Sequence, residues 1–191
     1  MDVLRRGRAR AEFERFVDAH ADQLLRTGFL VTGDPVEAED LVQECLLRVA
    51  RHWPRARSMD QPAAYARRIL VNLALDDARR RTRCAAELGW AEDSPVEARA
   101  NGASAVDSGL SDTRMELIAG LRMLPARQRA ILILRYYEDL SEAQVAHLLS
   151  CSVGTVKSTA SRGLSRLREA LDTAISADSD GGHISRQIEK E

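Results

Sequence analysis

The stretch Ser141–Leu171, SEAQVAHLLSCSVGTVKSTASRGLSRLREAL, constrains this chain more than any other. Ser141 followed three residues later by Gln144 is a capping-box pattern, which starts a helix by satisfying two of its orphan N–H donors. Val145, Leu148 and Leu149 give that helix a small apolar face. Ser150-Cys151-Ser152 then breaks the periodicity, and Ser152 suits the N-cap of a second helix. There Val153, Val156, Ala160, Leu164, Leu167 and Leu171 recur at steps of three and four, a stripe for a core. At about 100° per residue, the far side carries Thr155, Ser158, Arg162 and Ser165, flanked by Lys157 and Ser161. Small hydroxyls and cations, with no carboxylate before Glu169, suit a helix entering a groove of DNA. The stretch predicts a helix-turn-helix.

The remaining two-thirds is also patterned for helices. Phe13, Phe16, Val17, His20, Leu24, Gly28 and Val31 share one face of a helix over 11–32. Thr32-Gly33-Asp34-Pro35 stops it and supplies the next N-cap and first-turn proline. In the second helix, 35–53, Ala38, Leu41, Val42, Cys45, Val49 and Trp53 define the buried side. Opposite them lie Asp40, Gln43, Glu44, Leu47 and Arg51, an apolar anchor in a polar rim that suits protein docking; an incidental exposed leucine is the alternative. A basic loop, 55–60, leads to a third helix from Pro62 to about Arg83. Its inner side holds Ala66, Ile69, Leu70, Leu73 and Asp77. Its outer side holds Arg68, Asn72, Leu75 and Arg79, with Arg67 beside them and Arg80, Arg81 and Arg83 at the end. An asparagine between arginines one turn away suits base and phosphate contact, although arginines in a last turn also complement the helix dipole. Before and after Pro125, Leu117, Ile118, Leu121, Leu124, Ile131, Leu132, Leu134 and Tyr137 supply two helices to pack under the helix-turn-helix.

The charge distribution marks the boundaries. Residues 1–83 carry 16 basic and 13 acidic side chains and residues 114–172 carry 9 and 6, whereas 84–113 carry 1 and 6 and 173–191 carry 2 and 4. The expected organisation is all-α: a three-helix domain at 9–83, a flexible acidic linker at 84–113, a four-helix domain at 114–172 and a disordered tail at 173–191. Aromatic content of 4% means the cores rest on Leu, Val, Ile and Ala.

Several function classes drop out. No run approaches the roughly 18–20 apolar residues of a membrane span, and MDVLRRGRARAEF has no apolar signal core. Cys45, Cys84 and Cys151 form no CxxC pair, so neither a metal site nor a disulfide framework is expected; reduced cytosolic thiols are. His20, His52, His147 and His183 lie in unrelated contexts, and no phosphate loop or triad accompanies them. No catalytic residue and no cofactor is expected.

Taken together, the two halves resemble a known family. DPVEAEDLVQECLLRVARHW followed by PAAYARRILVNLALDDARRR looks like region two of the bacterial sigma factors. LPARQRAILILRYYEDLSEAQVAHLLSCSVGTVKSTASRGLSRLREAL looks like region four, and no region three lies between them. This is the pattern of the short extracytoplasmic-function (ECF) class, including its SigE-like subgroup. The resemblance implies a cytoplasmic, non-catalytic promoter-specificity subunit of RNA polymerase. It implies that Asp40, Gln43, Glu44, Leu47 and Arg51 dock on the clamp of the largest core subunit. Arg67, Arg68, Asn72, Arg79 and Arg80 would engage the minus-ten element, and Thr155, Lys157, Ser158, Ser161 and Arg162 the minus-thirty-five element. Thr159, Ala160 and Ser161 depart from the bulkier, more basic residues of that helix in relatives. With Trp53 and Tyr65 as the aromatics near the melting region, weak intrinsic strand opening is expected. An anti-sigma factor is a further partner of the class. A one-component regulator, with residues 1–83 as an effector or dimer module, is the alternative.

Overall fold

The computed structural model describes the backbone of residues 2–87 and 112–184 and the side chains of 7–87 and 113–173. Helices follow one another as α1 (Asp2–Thr32), α2 (Pro35–Arg51), the single turn α3 (Trp53–Ala56), α4 (Pro62–Glu87), α5 (Asp112–Arg122), α6 (Ala126–Leu132), α7 (Glu142–Leu148) and α8 (Val153–Ile184). Between α6 and α7 the chain widens into a π-helical turn, Ile133–Tyr137. Among the described residues there is no strand.

Local chemistry sets most boundaries. Gly33 takes φ +79, a conformation that ends α1 at no steric cost. Asp34 accepts a hydrogen bond from the Glu37 N–H (2.9 Å) and Pro35 opens α2. Helix α1 begins at Asp2, not near residue 11. Its added turns carry the i,i+4 pairs Arg8–Glu12 (3.2 Å) and Arg10–Glu14 (2.8 Å), which support a helix without hydrophobic periodicity. Part of the expected basic loop is the turn α3, from which Arg57 reaches back to Glu12. Helix α4 runs four residues into the expected linker. The rest of it, with Trp90 and a short helix expected at 96–100, lies outside the described residues. The backbone of α8 continues to Ile184, past the expected end near residue 172. No proline interrupts the chain there.

The N-terminal core gathers Phe16, Leu24, Val42, Cys45, Val49, Trp53, Ala66 and Leu70. Trp53 meets Phe13 edge-on at 5.3 Å between ring centroids and Phe16 at 5.2 Å; His20 lies 4.8 Å from Phe16 as a half-buried core histidine. The Cys45 Sγ donates to the Ala66 carbonyl at 3.2 Å, and burial pushes its thiol up to about 12. Thiolate is the reactive form, so Cys45 should stay unmodified by iodoacetamide at pH 8 in the native protein while exposed Cys84 is alkylated. Peptide mass mapping checks this; labelling of both at equal rates would contradict the burial of Cys45.

The second core is not confined to the C-terminal helices. Leu121, Leu124, Ala130–Leu134, Val145, Leu148, Leu149, Val156 and Ala160 are joined there by Val31 of α1 and by Val71, Ala74 and Leu75 of α4. The two helical units therefore share a packed interface, where the sequence suggested a tethered pair. Leu75, expected on the outer face of α4, is buried in it. Helix α4 has two apolar arcs: Ala66 and Leu70 turn toward α1 and α2, and Val71, Ala74 and Leu75 toward α6.

Candidate docking and nucleic-acid surfaces

The exposed side of α2 follows from its 3.6-residue period. Asp40, Gln43, Leu47 and Arg51 are all exposed, and Glu44, half-buried at the margin, pairs with Arg48 at 2.7 Å. Leu47 is 54% exposed. Val36, 67% exposed, occupies the same face about three turns before it. The sequence reading missed Val36, although the spacing 36, 40, 43, 47 carried the signal. Val36 and Leu47 thus bracket a carboxylate and an amide on one exposed face, and with Glu44 and Arg51 beside them the surface mixes exposed apolar and polar side chains as a protein-docking patch does.

On α4 the expected set divides. Arg68, Asn72 and Arg79 fall within one narrow arc by helical phase, with Arg68 half-buried and the other two exposed, and exposed Arg83 extends the line by a turn. Asn72 is exposed; Arg79 pairs with Asp76 at 2.8 Å on the surface. Arg80 lies off that arc and pairs with Asp77 at 3.6 Å. Arg67 projects toward the C-terminal unit, where it pairs with Glu138 at 2.8 Å. The structure thus brings Arg68, Asn72 and Arg79 together and separates Arg67 from them.

The helix-turn-helix is built as its sequence indicates. Both capping-box bonds are present: Ser141 N–H donates to Gln144 Oε1 (2.7 Å) and Gln144 N–H to Ser141 Oγ (3.2 Å). Ser150 turns the chain at φ +51, and Ser152 Oγ accepts from the Thr155 N–H at 3.0 Å to start α8. The apolar stripe of α8 differs from expectation. Val156, Thr159, Ala160 and Gly163 are buried and Leu167 is partly so, whereas Val153 and Leu164 are each 40% exposed. Gly163 permits this: a Cβ there would stand 3.2 Å from Leu132 Cδ1, so α8 lies close against α6 on that side. Thr159 and Ala160 consequently leave the readable surface, and of the three residues singled out as unusual only Ser161 remains on it.

The exposed α8 residues form two lines. Ser158 and Arg162 lie together on one side, with the Arg162 Nε donating to the Ser158 carbonyl at 3.2 Å and half-buried Thr155 bonded to Ser152. Lys157 and Ser161 border an open groove of about 350 Å³, shared with Arg135, Tyr136 and Arg168. Lys157 also stands 3.5 Å from Glu142, an exposed pair worth little in water.

Comparison with known proteins agrees with this layout. The family described as "Sigma-70 region 2" matches residues 16–84, and "Sigma-70, region 4" matches residues 114–167. The RNA polymerase sigma-E factor of Streptomyces avermitilis is 33% identical over 176 residues, covering 92% of each chain. The ECF RNA polymerase sigma factor SigL of Mycobacterium tuberculosis is 33% identical over 155 residues, 81% of this chain and 85% of that protein. Among solved structures, the sigma factor RpoE from Bartonella quintana, in complex with the anti-sigma factor NepR, superposes with a TM-score of 0.64 at 26% identity. That match covers 84% of this chain and 97% of that one. Proteins of this kind are transcription initiation factors, not enzymes. Two helical units bearing regions 2 and 4 in this order, matched over nearly the whole length of such relatives, place the chain in the sigma-70 family of RNA polymerase sigma factors, in its extracytoplasmic-function group.

Proposed function

We propose that this chain binds core RNA polymerase through the exposed face of α2 and directs it in the cytoplasm to promoters gripped at two elements. Asp40, Gln43, Glu44, Leu47 and Arg51, with Val36, dock on the clamp of the largest subunit. Arg68, Asn72 and Arg79 engage the minus-ten element, with Arg67 and Arg80 adding charge at either side. Ser158 and Arg162 face the minus-thirty-five base pairs, and Thr155, Lys157 and Ser161 steady the flanking backbone. The observation that carries this reading is the α2 face, where Val36 and Leu47 stay in solvent around Asp40 and Gln43. An anti-sigma factor, of the kind bound to the Bartonella quintana relative, would compete for the same faces.

Run-off transcription from a genomic promoter library with purified core enzyme tests the reading. Start sites sharing two spaced elements are expected only when core and this chain are both present. DNA binding that proceeds without core association would instead indicate a one-component regulator. At the upstream element, Arg162→Ala should weaken promoter binding by about 1–3 kcal/mol if the guanidinium reads a base edge. An unchanged footprint would remove Arg162 from the contact set.

A further inference from the structure

Glu138 is the most deeply buried carboxylate among the ion pairs of the described residues, with its side chain 1% exposed. It belongs to the C-terminal unit, yet its partners belong to the N-terminal one. Arg67 of α4 pairs with Oε2 at 2.8 Å, the Gln23 side-chain amide of α1 donates to Oε2 at 3.1 Å, and the Thr27 hydroxyl of α1 bonds to Oε1. Thr27 is buried, and His20, Leu24 and Ala63 close the sides of the cleft. A guanidinium, an amide and a hydroxyl thus converge on a single oxyanion from two helices of one unit.

The carboxylate is delivered by an irregular segment. After the π turn, the Glu138 N–H donates to the Ile133 carbonyl at 3.0 Å, and Asp139 takes φ +49. A non-glycine residue in the left-handed region is uncommon and costs conformational energy, as does an isolated π turn. Docking of Glu138 into the cleft offsets that cost.

We infer that Gln23, Thr27 and Arg67 form a phosphodiester-binding site for single-stranded DNA, and that Glu138 occupies it as an internal stand-in while the two units are closed. This rests on the proposed role of the outer α4 surface, because Arg67 lies around the helix from Arg68 and Asn72. It adds two α1 residues, Gln23 and Thr27, to the strand-engaging set, and it makes closure and strand binding mutually exclusive. A carboxylate and a phosphate are both oxyanions that accept from a guanidinium and neutral donors, so one cleft serves either. A site available only in a minority of open molecules shows an apparent affinity reduced by that fraction.

The test uses the full chain and a short single-stranded oligonucleotide, with binding followed by fluorescence anisotropy over a series of salt concentrations. Glu138→Gln keeps the side chain's shape and removes its charge, and thermal unfolding establishes that the variant remains folded. It should bind the oligonucleotide about tenfold more tightly than the wild type. Its salt dependence should also steepen, because Arg67 is released to neutralise a phosphate. In the Glu138→Gln background, Thr27→Val should reverse part of the gain; a purely structural role for Thr27 in the closed interface would push affinity the other way. Unchanged affinity in Glu138→Gln, or a further gain on adding Thr27→Val, overturns the inference. Success in run-off transcription with no Glu138→Gln effect would sink this proposal alone. The converse would sink the promoter reading and leave the anion site standing.

Discussion

Replacing Arg129 by Met should lower the stability of the protein by about 3 kcal/mol, one of the two largest single-residue effects expected. Its guanidinium is buried on α6, where Nε donates to the Val31 carbonyl at 2.7 Å and one terminal nitrogen lies 3.4 and 3.3 Å from the Leu121 and Arg122 carbonyls. Those carbonyls belong to the last turns of α1 and α5, among the groups a helix cannot satisfy internally. One cation therefore caps two helix ends, one from each unit, and complements both dipoles. Burial draws its pKa down to about 10, with attraction to Glu37 opposing the shift, so it remains charged at neutral pH. Met fills similar volume but leaves the carbonyls without that donor. Arg129→Lys should recover little, because a single ammonium cannot reproduce the planar fork. Urea denaturation measures the loss, and hydrogen exchange should accelerate at the end of α1. A Met variant as stable as the wild type would mean that water satisfies the carbonyls and the strap is dispensable.

Arg129 and Glu138 also show where sequence reasoning stops. Helix periodicity made Phe16, Leu24, Val42, Cys45, Leu70 and Val156 legible as core, and the TGDP and SEAQ signals located helix ends that the structure reproduces. The face of α2 was legible for the same reason: a 3.6-residue repeat states which side chains oppose the core. What it does not state is what covers a second apolar arc. Val71, Ala74 and Leu75 could be assigned a partner only by knowing that α6 lies across them. The polar contacts were further out of reach. Arg129 meets Val31 across 98 residues of sequence and Glu138 meets Thr27 across 111, and neither pair has a local spacing signature. On α8 the error was one of phase. Val153 and Leu164 look apolar enough for the core, but Gly163 lets α6 approach on the adjoining side, so Thr159 is buried in their place. An apolar count cannot reveal a helix that packs through its glycine.

Trp53→Ala should cost about 3–5 kcal/mol and unfold much of the N-terminal unit, with loss of polymerase and promoter binding together. The indole packs against both Phe13 and Phe16, which also touch each other, and is buried in the same core as Cys45, Val49 and Leu70. This bears on strand opening. Of the two aromatics near the melting region, Trp53 is committed to the core and Tyr65 is half-buried against it. Trp53 is therefore unavailable as a stacking surface for a flipped base, and Tyr65 is only partly exposed; weak intrinsic melting is the expected outcome. The Trp53 Nε1 is buried without a hydrogen-bond partner, so Trp53→Phe removes an unsatisfied donor while keeping most of the ring packing. Its cost should be well below that of the Ala variant, and promoter opening mapped by permanganate should persist. If Trp53 were instead a stacking platform, Trp53→Ala would fold with near-normal stability and fail selectively at opening. Denaturation midpoints for both variants, set beside their permanganate patterns on one promoter, separate a core tryptophan from a strand-binding one.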